Sequence, residues 1–420
     1  MRVFVVTINY APEPSGFAPH AAQLAGYLAR RGHQVDVFTG FPFAPAWRRR
    51  PEDRGRLYAT ERAGGVTVHR VTHYIPRRPS SVGQRVLMEG SFAASVLAAM
   101  AAVMLGSRRR PDAMLYIGAQ PAAAMATRIA AAAVRRPYFV RITDLAADAA
   151  QDVGMVGRRL GRVLAAFEFA AYRRAAGASV LCPSFSDVLA GHGYPADRIR
   201  VLHNPIDTDL IRPLVPAGEF RARYDIPRDA FVLMHAGSMG RKQALVNVVA
   251  AAALTRDAGL HWVFVGGGEG EAELAAAVRA RGANAVVHLV PFQPEPEMAA
   301  MFADADVLVV SQLGSVTNTL IPGKLLTYMA AGRPVLAAVH AASQAAALLR
   351  DADGGLLVAP EDPEALGAAA RALAAADRRT LAALGARNRA YAEQHFDERK
   401  ILAAHEAFFL ETLGLPAPAP

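Results

Sequence analysis

The sequence predicts an α/β protein of two doubly wound, Rossmann-like units, and three observations predict it. Strand-length apolar runs alternate with helix-period patterns along nearly the whole chain. The rhythm pauses at a proline- and glycine-punctuated stretch near the middle and then restarts. The 420 residues also exceed what one core holds, since single cores stop growing near roughly 250–300 residues.

Taken in order, Val3–Ile8 reads as a first strand; its apolar part is too short for a signal peptide. The turn-rich loop Asn9 to Gly16 leads to an amphipathic helix ending near Arg31, which Gly32-His33 closes before a strand at Gln34–Thr39. Phe41 to about Thr60 is rich in proline and arginine and reads as a surface loop. Further strands are expected at Val66–Val71, Ala113–Ile117, Tyr138–Ile142, Val180–Cys182 and Ile199–Leu202. After Asn204-Pro205-Ile206-Asp207 the chain runs through Pro213, Pro216 and Gly218, which mark the expected hinge. The second half repeats the pattern at Phe231–His235, Trp262–Val265, Val286–Leu289, Val307–Val310, Val335–Val339 and Leu356–Val358. A nearly unbroken helical stretch runs from Leu381 to about Leu413. The expected division is 1–205, 206–395, a terminal helix at 396–415 that returns to the first unit, and a frayed tail at 416–420.

Composition narrows the function classes. The net charge is 46 − 37 = +9, which favours anionic partners such as nucleoside diphosphates or lipid head groups. The excess of arginine and alanine is also what a biased genome would write. The basic residues are nearly all arginine, and the three lysines are Lys242, Lys324 and Lys400. The single cysteine, Cys182, excludes an internal disulfide and a cysteine metal cage and fits a reducing cytoplasm. From Gly90 to Ser107 there are 18 residues without a charge, followed by Arg108-Arg109-Arg110. Alanine, serine and glycine dilute that stretch, so a buried or membrane-surface helix is expected rather than a span.

The chemistry is anchored between Ser311 and Ala338. Polar turn residues give way to Pro322-Gly323-Lys324 and then to a short amphipathic helix that stops at Gly332-Arg333-Pro334. A loop feeding a helix N-terminus beside a buried strand offers free backbone N–H groups and a positive dipole end, to which Lys324 adds charge. Such a place suits a phosphate.

These residues resemble the donor-diphosphate segment of glycosyltransferase family 4, close to its exopolysaccharide and O-antigen members. The similarity extends through the Asn9–Gly16 loop, Gly32-His33, Thr39-Gly40-Phe41-Pro42, Asp144-Leu145, Asn204–Asp207, Gly237–Gln243 and Val265–Glu269. One departure is plain: where most of the family carries two glutamates eight apart, this chain has Thr319 and Thr327. The resemblance implies the GT-B architecture, two units facing across a cleft. It also implies retaining transfer of a hexosyl group from a nucleoside diphosphate sugar to a lipid-linked or glycan acceptor, in surface-polysaccharide synthesis.

Carried over residue by residue, the resemblance gives Arg241, Lys242 and Asp144 as catalytic candidates. Donor-binding candidates are Gly16, Ser238, Gly267, Glu269, Pro291, Phe292, Asn318, Thr319, Leu320, Ile321, Lys324 and Thr327. Five of them have a plainer alternative: Gly16 as a turn glycine, Arg241 and Lys242 as a solvated pair, Phe292 as packing, Asp144 as a helix cap. Gly266-Gly267-Gly268 lacks the G-x-G-x-x-G frame and opposes a dinucleotide site. Asp304-Ala305-Asp306 precedes a buried strand and reads as capping. The histidines lack metal spacing, so no metal cofactor is expected; the expected partners are a nucleoside diphosphate sugar, its acceptor and an anionic membrane surface, and no nucleic acid. A nucleotide-sugar epimerase of the same architecture and a non-catalytic nucleotide-sugar-binding protein stay open as alternatives.

Overall fold

The computed structural model describes residues 1–13, 16–44, 46–79, 81–107, 110–145, 158–316 and 322–416. The chain forms two compact units, one of Met1–Asn204 joined by the segment that begins at Ile401, the other of Pro205–Lys400.

The first unit is built on an eight-stranded sheet ordered β3-β4-β2-β1-β5-β6-β7-β8. Its strands are β1 Arg2–Val6, β2 Gln34–Gly40, β3 Tyr58–Ala63, β4 Val66–Val71, β5 Ala113–Gly118, β6 Tyr138–Ile142, β7 Gly177–Val180 and β8 Ile199–Val201. All pairings are parallel except β3 with β4. The inner strands are apolar runs because both faces are covered; β5 is buried along its whole length.

Two expectations need correction here, and a third element is longer than expected. The Phe41–Thr60 stretch is not a surface loop throughout, since Phe41 and Phe43 are buried and β3 begins at Tyr58. Buried Glu13 explains the tuck, because its Oε1 accepts the N–H groups of Phe43 and Ala44 at 2.8 and 2.7 Å. The strand expected at Val180–Cys182 ends at Val180, because Pro183 starts a helix and Cys182 becomes its N-cap. The charge-free stretch belongs to a longer helix, Val82–Ser107, anchored by buried Met88, Phe92, Val96 and Met100.

The terminal helix Glu398–Leu413 enters the first unit's core through Leu402, Phe408 and Phe409. Gly177 has to be glycine there, since a Cβ would stand 2.4 Å from the Phe408 ring. Buried Glu406 fixes the helix by accepting from His33 Nε2 at 2.8 Å, Arg31 Nε at 3.1 Å and the Tyr27 hydroxyl at 3.1 Å. Gly32-His33 is therefore a clamp on the terminal helix. Buried Arg141 donates to Leu202 O, His203 O and Asn204 Oδ1 where the chain leaves this unit.

The second unit's sheet, all parallel, is ordered β11-β10-β9-β12-β13-β14. Its strands are β9 Phe231–Ser238, β10 Leu260–Gly267, β11 Val287–Val290, β12 Val307–Ser311, β13 Val335–Ala338 and β14 Gly355–Val358. The proline-rich stretch expected as a hinge is instead held inside this unit. Asp304 accepts from Gly218 N at 2.8 Å and Phe220 N at 2.9 Å, capping the short helix Glu219–Arg223. Asp306 pairs with Arg221 at 2.9 Å, and Arg389 donates to Thr208 O and Ile211 O. The two aspartates of the D-x-D thus fasten the start of the unit.

Candidate functional site

A doubly wound sheet binds ligands beyond the C-terminal ends of its strands, at the point where strand order reverses. In the second unit that point lies between β9 and β12, with β10 and β11 on one side and β13 and β14 on the other. Several of the expected donor residues lie along this edge. Ser238 ends β9 and pairs in register with Gly267, which ends β10. Pro291 and Phe292 follow β11, and Lys324 and Thr327 lie on the helix Gly323–Ala330 after β12. Arg241 and Lys242 form a 3-10 turn after β9 rather than the start of the α-helix, which begins at Leu245. Arg241 and Glu269 are exposed and Lys242 is half-buried.

Lys324 is the most constrained of these groups. Its Nζ lies 2.9 Å from His235 Nε2, and burial lowers its ammonium to about 7. His235 is itself buried, and desolvation, with the neighbouring Lys324 charge, pushes its imidazole well below the usual range, so the ring is neutral. Nδ1 faces Val309 O at 3.3 Å; the Nδ1–H tautomer donates there and leaves Nε2 to accept from Lys324. Beside them Tyr328 Oη accepts from Ala236 N at 2.6 Å and donates to Ala236 O at 3.0 Å, locking the helix to the end of β9.

Between these groups is a cavity of about 140 Å³ lined by Gly237, Phe292, Met301, Lys324, Thr327 and Tyr328, among others. Phe292 is 70% exposed although it lines the cavity, so plain core packing does not account for it. Thr327 turns its hydroxyl back to Gly323 O at 3.3 Å. Asn318, Thr319, Leu320 and Ile321 lie outside the described residues. His235 and Tyr328 are the residues that sequence reasoning missed; a lone histidine inside the otherwise apolar FVLMHA run was the available signal.

The glycines of this edge are set by backbone approach. Gly266 has φ +132, and a Cβ on it would stand 2.1 Å from Gly237 O. A Cβ on Gly268 would meet Met239 O at 2.9 Å. In the first unit Gly16 has φ +66 and nothing within 4 Å of an added Cβ, so its surroundings are open. Asp144 follows β6, is half-buried, and its Oδ1 accepts from Leu145 N at 2.9 Å.

Two family models match the chain. Residues 15–205 match one described as a glycosyl transferase 4-like domain, and residues 230–376 one described as glycosyl transferases group 1. The chain is 27% identical over 410 residues to the putative colanic acid biosynthesis glycosyl transferase WcaI of Escherichia coli K12, covering 96% of this chain and 98% of the relative. It is 28% identical to the 2-deoxystreptamine glucosyltransferase of Streptomyces kanamyceticus, over 74% and 77% of the two chains. Among solved structures it is similar to sucrose-phosphate synthase of Thermosynechococcus elongatus, with a TM-score of 0.74, 18% identity and 99% coverage of both chains. A similar match is Anabaena HepE in complex with UDP-glucose, with a TM-score of 0.70, 18% identity and 99% coverage of both.

Fold and relatives together define a glycosyltransferase of the GT-B class. Within that class the chain belongs to glycosyltransferase family 4.

Proposed function

We propose that the chain moves a hexose, with retention, from a nucleoside diphosphate sugar to a lipid-linked or glycan acceptor in surface-polysaccharide biosynthesis. The observation that carries this reading is Lys324, held by His235 at the switch point of the second sheet and at the N-terminus of its helix. The bond from the anomeric carbon to the diphosphate oxygen breaks as the acceptor oxygen adds to that carbon, and the acceptor proton passes to the departing phosphate. Negative charge grows on the diphosphate in this step, where Lys324, Lys242 and Arg241 stabilise it. Phe292 takes the nucleobase side; in the first unit, Asp144 serves catalysis or acceptor binding and Gly16 the approach of an acceptor or donor phosphate. The similarity to the putative colanic acid biosynthesis glycosyl transferase WcaI supports the polysaccharide role, and the similarity to HepE, solved with UDP-glucose, supports the donor class. Hydrolysis and transfer assayed against UDP-, GDP- and dTDP-sugars test the reading. An epimerase would interconvert the sugars, and a binding protein would leave them intact.

Turnover should continue in excess chelator, because cationic side chains serve the diphosphate and, among the described residues, no three His, Cys, Asp or Glu side chains gather to hold a metal. Complete loss in chelator, restored by Mg²⁺ or Mn²⁺, would refute this. Thr327→Glu should not raise kcat, since Thr327 is already committed to the Gly323 carbonyl and the sugar is read by other groups. A large gain would mark the site as a degraded form of the family's common one.

The chain also acts against anionic lipid, as its charge and the long helix support. The most apolar 18-residue window within Val82–Gly106 has a mean hydropathy of 1.8, and 33% of that window is buried. Each basic residue near such a surface contributes on the order of 1 kcal/mol. Flotation with anionic vesicles should be strong at low salt and fall as salt rises; no association at low salt would sink the idea.

A further inference from the structure

The first unit carries a groove of about 870 Å³ between the helix Val82–Ser107 and strands β2, β4 and β3. Protein interiors leave few voids larger than a water molecule, so this one needs a cause, which lies in the side chains on both sides. The helix offers Ser95, Ala98, Ala99, Ala102, Val103 and Gly106. They are spaced three and four apart, hence on one face, and all are too short to reach the sheet. Opposite them, the sheet presents Asp36, Thr67 and His69, where a strand beneath a helix ordinarily presents branched aliphatic residues.

The polar floor is satisfied from within. Arg2 Nε donates to Asp36 Oδ2 at 2.9 Å, His69 Nε2 faces Asp36 Oδ1 at 3.1 Å, and the Tyr58 hydroxyl meets His69 Nδ1 at 2.6 Å. A floor whose groups are already paired loses little when water leaves it. The opposite wall is mostly methyl and methylene groups, so hydrocarbon placed there is removed from water on one whole side.

One end of the groove is basic. Arg2, whose backbone N–H donates to Asp112 Oδ2 at 2.7 Å, lines the groove at this end together with Gly106. Exposed Arg62 lines the same end, beside Gly65. The nearby carboxylates are engaged: Asp36 with Arg2 and His69, Glu61 with Arg70, Asp112 with the β1 backbone. The other end is bordered by Leu57, which is 73% exposed.

We propose that this groove binds one molecule of an anionic glycerophospholipid, an acyl chain lying along the Ala98–Gly106 face and the phosphate at Arg62. The proposal rests on the membrane reading and is separate from the donor site. Arg2, Gln34 and Gly65 lie at or just before the starts of β1, β2 and β4, whereas Gly16 and Asp144 follow the strand ends. A lipid held here fixes which face of the unit meets the bilayer, beyond what diffuse charge attraction specifies.

The test uses the full chain with dioctanoyl phosphatidylglycerol below its micellar concentration, followed by calorimetry and native mass spectrometry. Saturable one-to-one binding is expected, with dioctanoyl phosphatidylcholine at least fivefold weaker and glycerol 3-phosphate unable to compete. Ala102→Phe, which fills the groove, should weaken binding at least tenfold, and Arg62→Glu at least fivefold, with donor turnover and melting temperature unchanged in both. Absence of saturable binding, binding indifferent to Ala102→Phe, or glycerol 3-phosphate binding as tightly as the lipid would overturn the site. Dimerisation without lipid binding, abolished by Ala102→Phe, would make the groove a self-interface and equally overturn it. Salt-sensitive vesicle flotation that survived such a failure would leave the membrane reading standing; loss of both would remove both.

Discussion

Lys324→Ala should lower kcat/KM for the donor by about tenfold or more. A charge-assisted contact to a phosphate oxygen is worth roughly 1.5–3 kcal/mol, and about 1.4 kcal/mol is one decade. The loss is larger where the contact strengthens as the diphosphate departs. Lys242→Ala should cost a similar factor. Lys400→Ala should change little, since that ammonium only meets Glu393 O on the terminal helices. In a chain that writes arginine almost everywhere, an ammonium at position 324 has a steric reason: Lys324 Nζ would lie 3.5 Å from a Cβ on Gly237 and lies 2.9 Å from His235, too close for a planar guanidinium. If all three variants kept parental turnover while folded, the diphosphate assignment would fall.

The lowered ammonium adds a pH signature. In the free protein Lys324 titrates at about 7. A bound diphosphate favours its charged form and so raises that value. Donor affinity should therefore be flat below about pH 7, where the lysine is already protonated, and weaken as pH rises above it, where binding must take up a proton. Calorimetry in two buffers of different ionisation enthalpy would read the proton directly. Lys324→Ala should abolish the uptake.

The alternation of strands and helices was legible because parallel strands covered on both faces are continuous apolar runs, such as VLVVS in β12. Strand β3 was not, because YATERA is an exposed edge with charges along it and offers no apolar face to read. The proline-rich stretch after Asp207 was misread as a hinge. Proline and glycine signal the lack of regular structure, and what holds it, Asp304, Asp306 and Arg389, lies far away in sequence. The candidate edge could be marked out from its loops and lysines, which are local motifs. His235 was not, because its part depends on β9 lying beside β12 and on the helix that follows.

Gly266→Ala should be the most damaging small substitution at the candidate site, at about 3 kcal/mol or more of the second unit's stability. Two independent costs meet at this position. Its φ of +132 lies where a residue with a Cβ is strained by about 1–3 kcal/mol. The new methyl would also stand 2.1 Å from Gly237 O, a backbone atom that no rotamer change moves. Relief requires parting the ends of β9 and β10, which pair Gly266 with Gly237 and Gly267 with Ser238. The movement would carry Gly237 away from Lys324, so donor affinity should fall along with stability. Gly16→Ala is the control: its φ of +66 is again unfavourable, but nothing lies within 4 Å of the added carbon, and a cost of about 1 kcal/mol is expected. The chain has two tryptophans, Trp47 in the first unit and Trp262 buried in the second. In a Trp47→Phe background, urea unfolding followed by Trp262 fluorescence reports the second unit alone, which matters because a two-unit chain need not unfold in one step. An unchanged Trp262 midpoint in Gly266→Ala would show that the strand ends yield without cost, and the account of this edge as a rigid, glycine-packed platform for the diphosphate would be wrong.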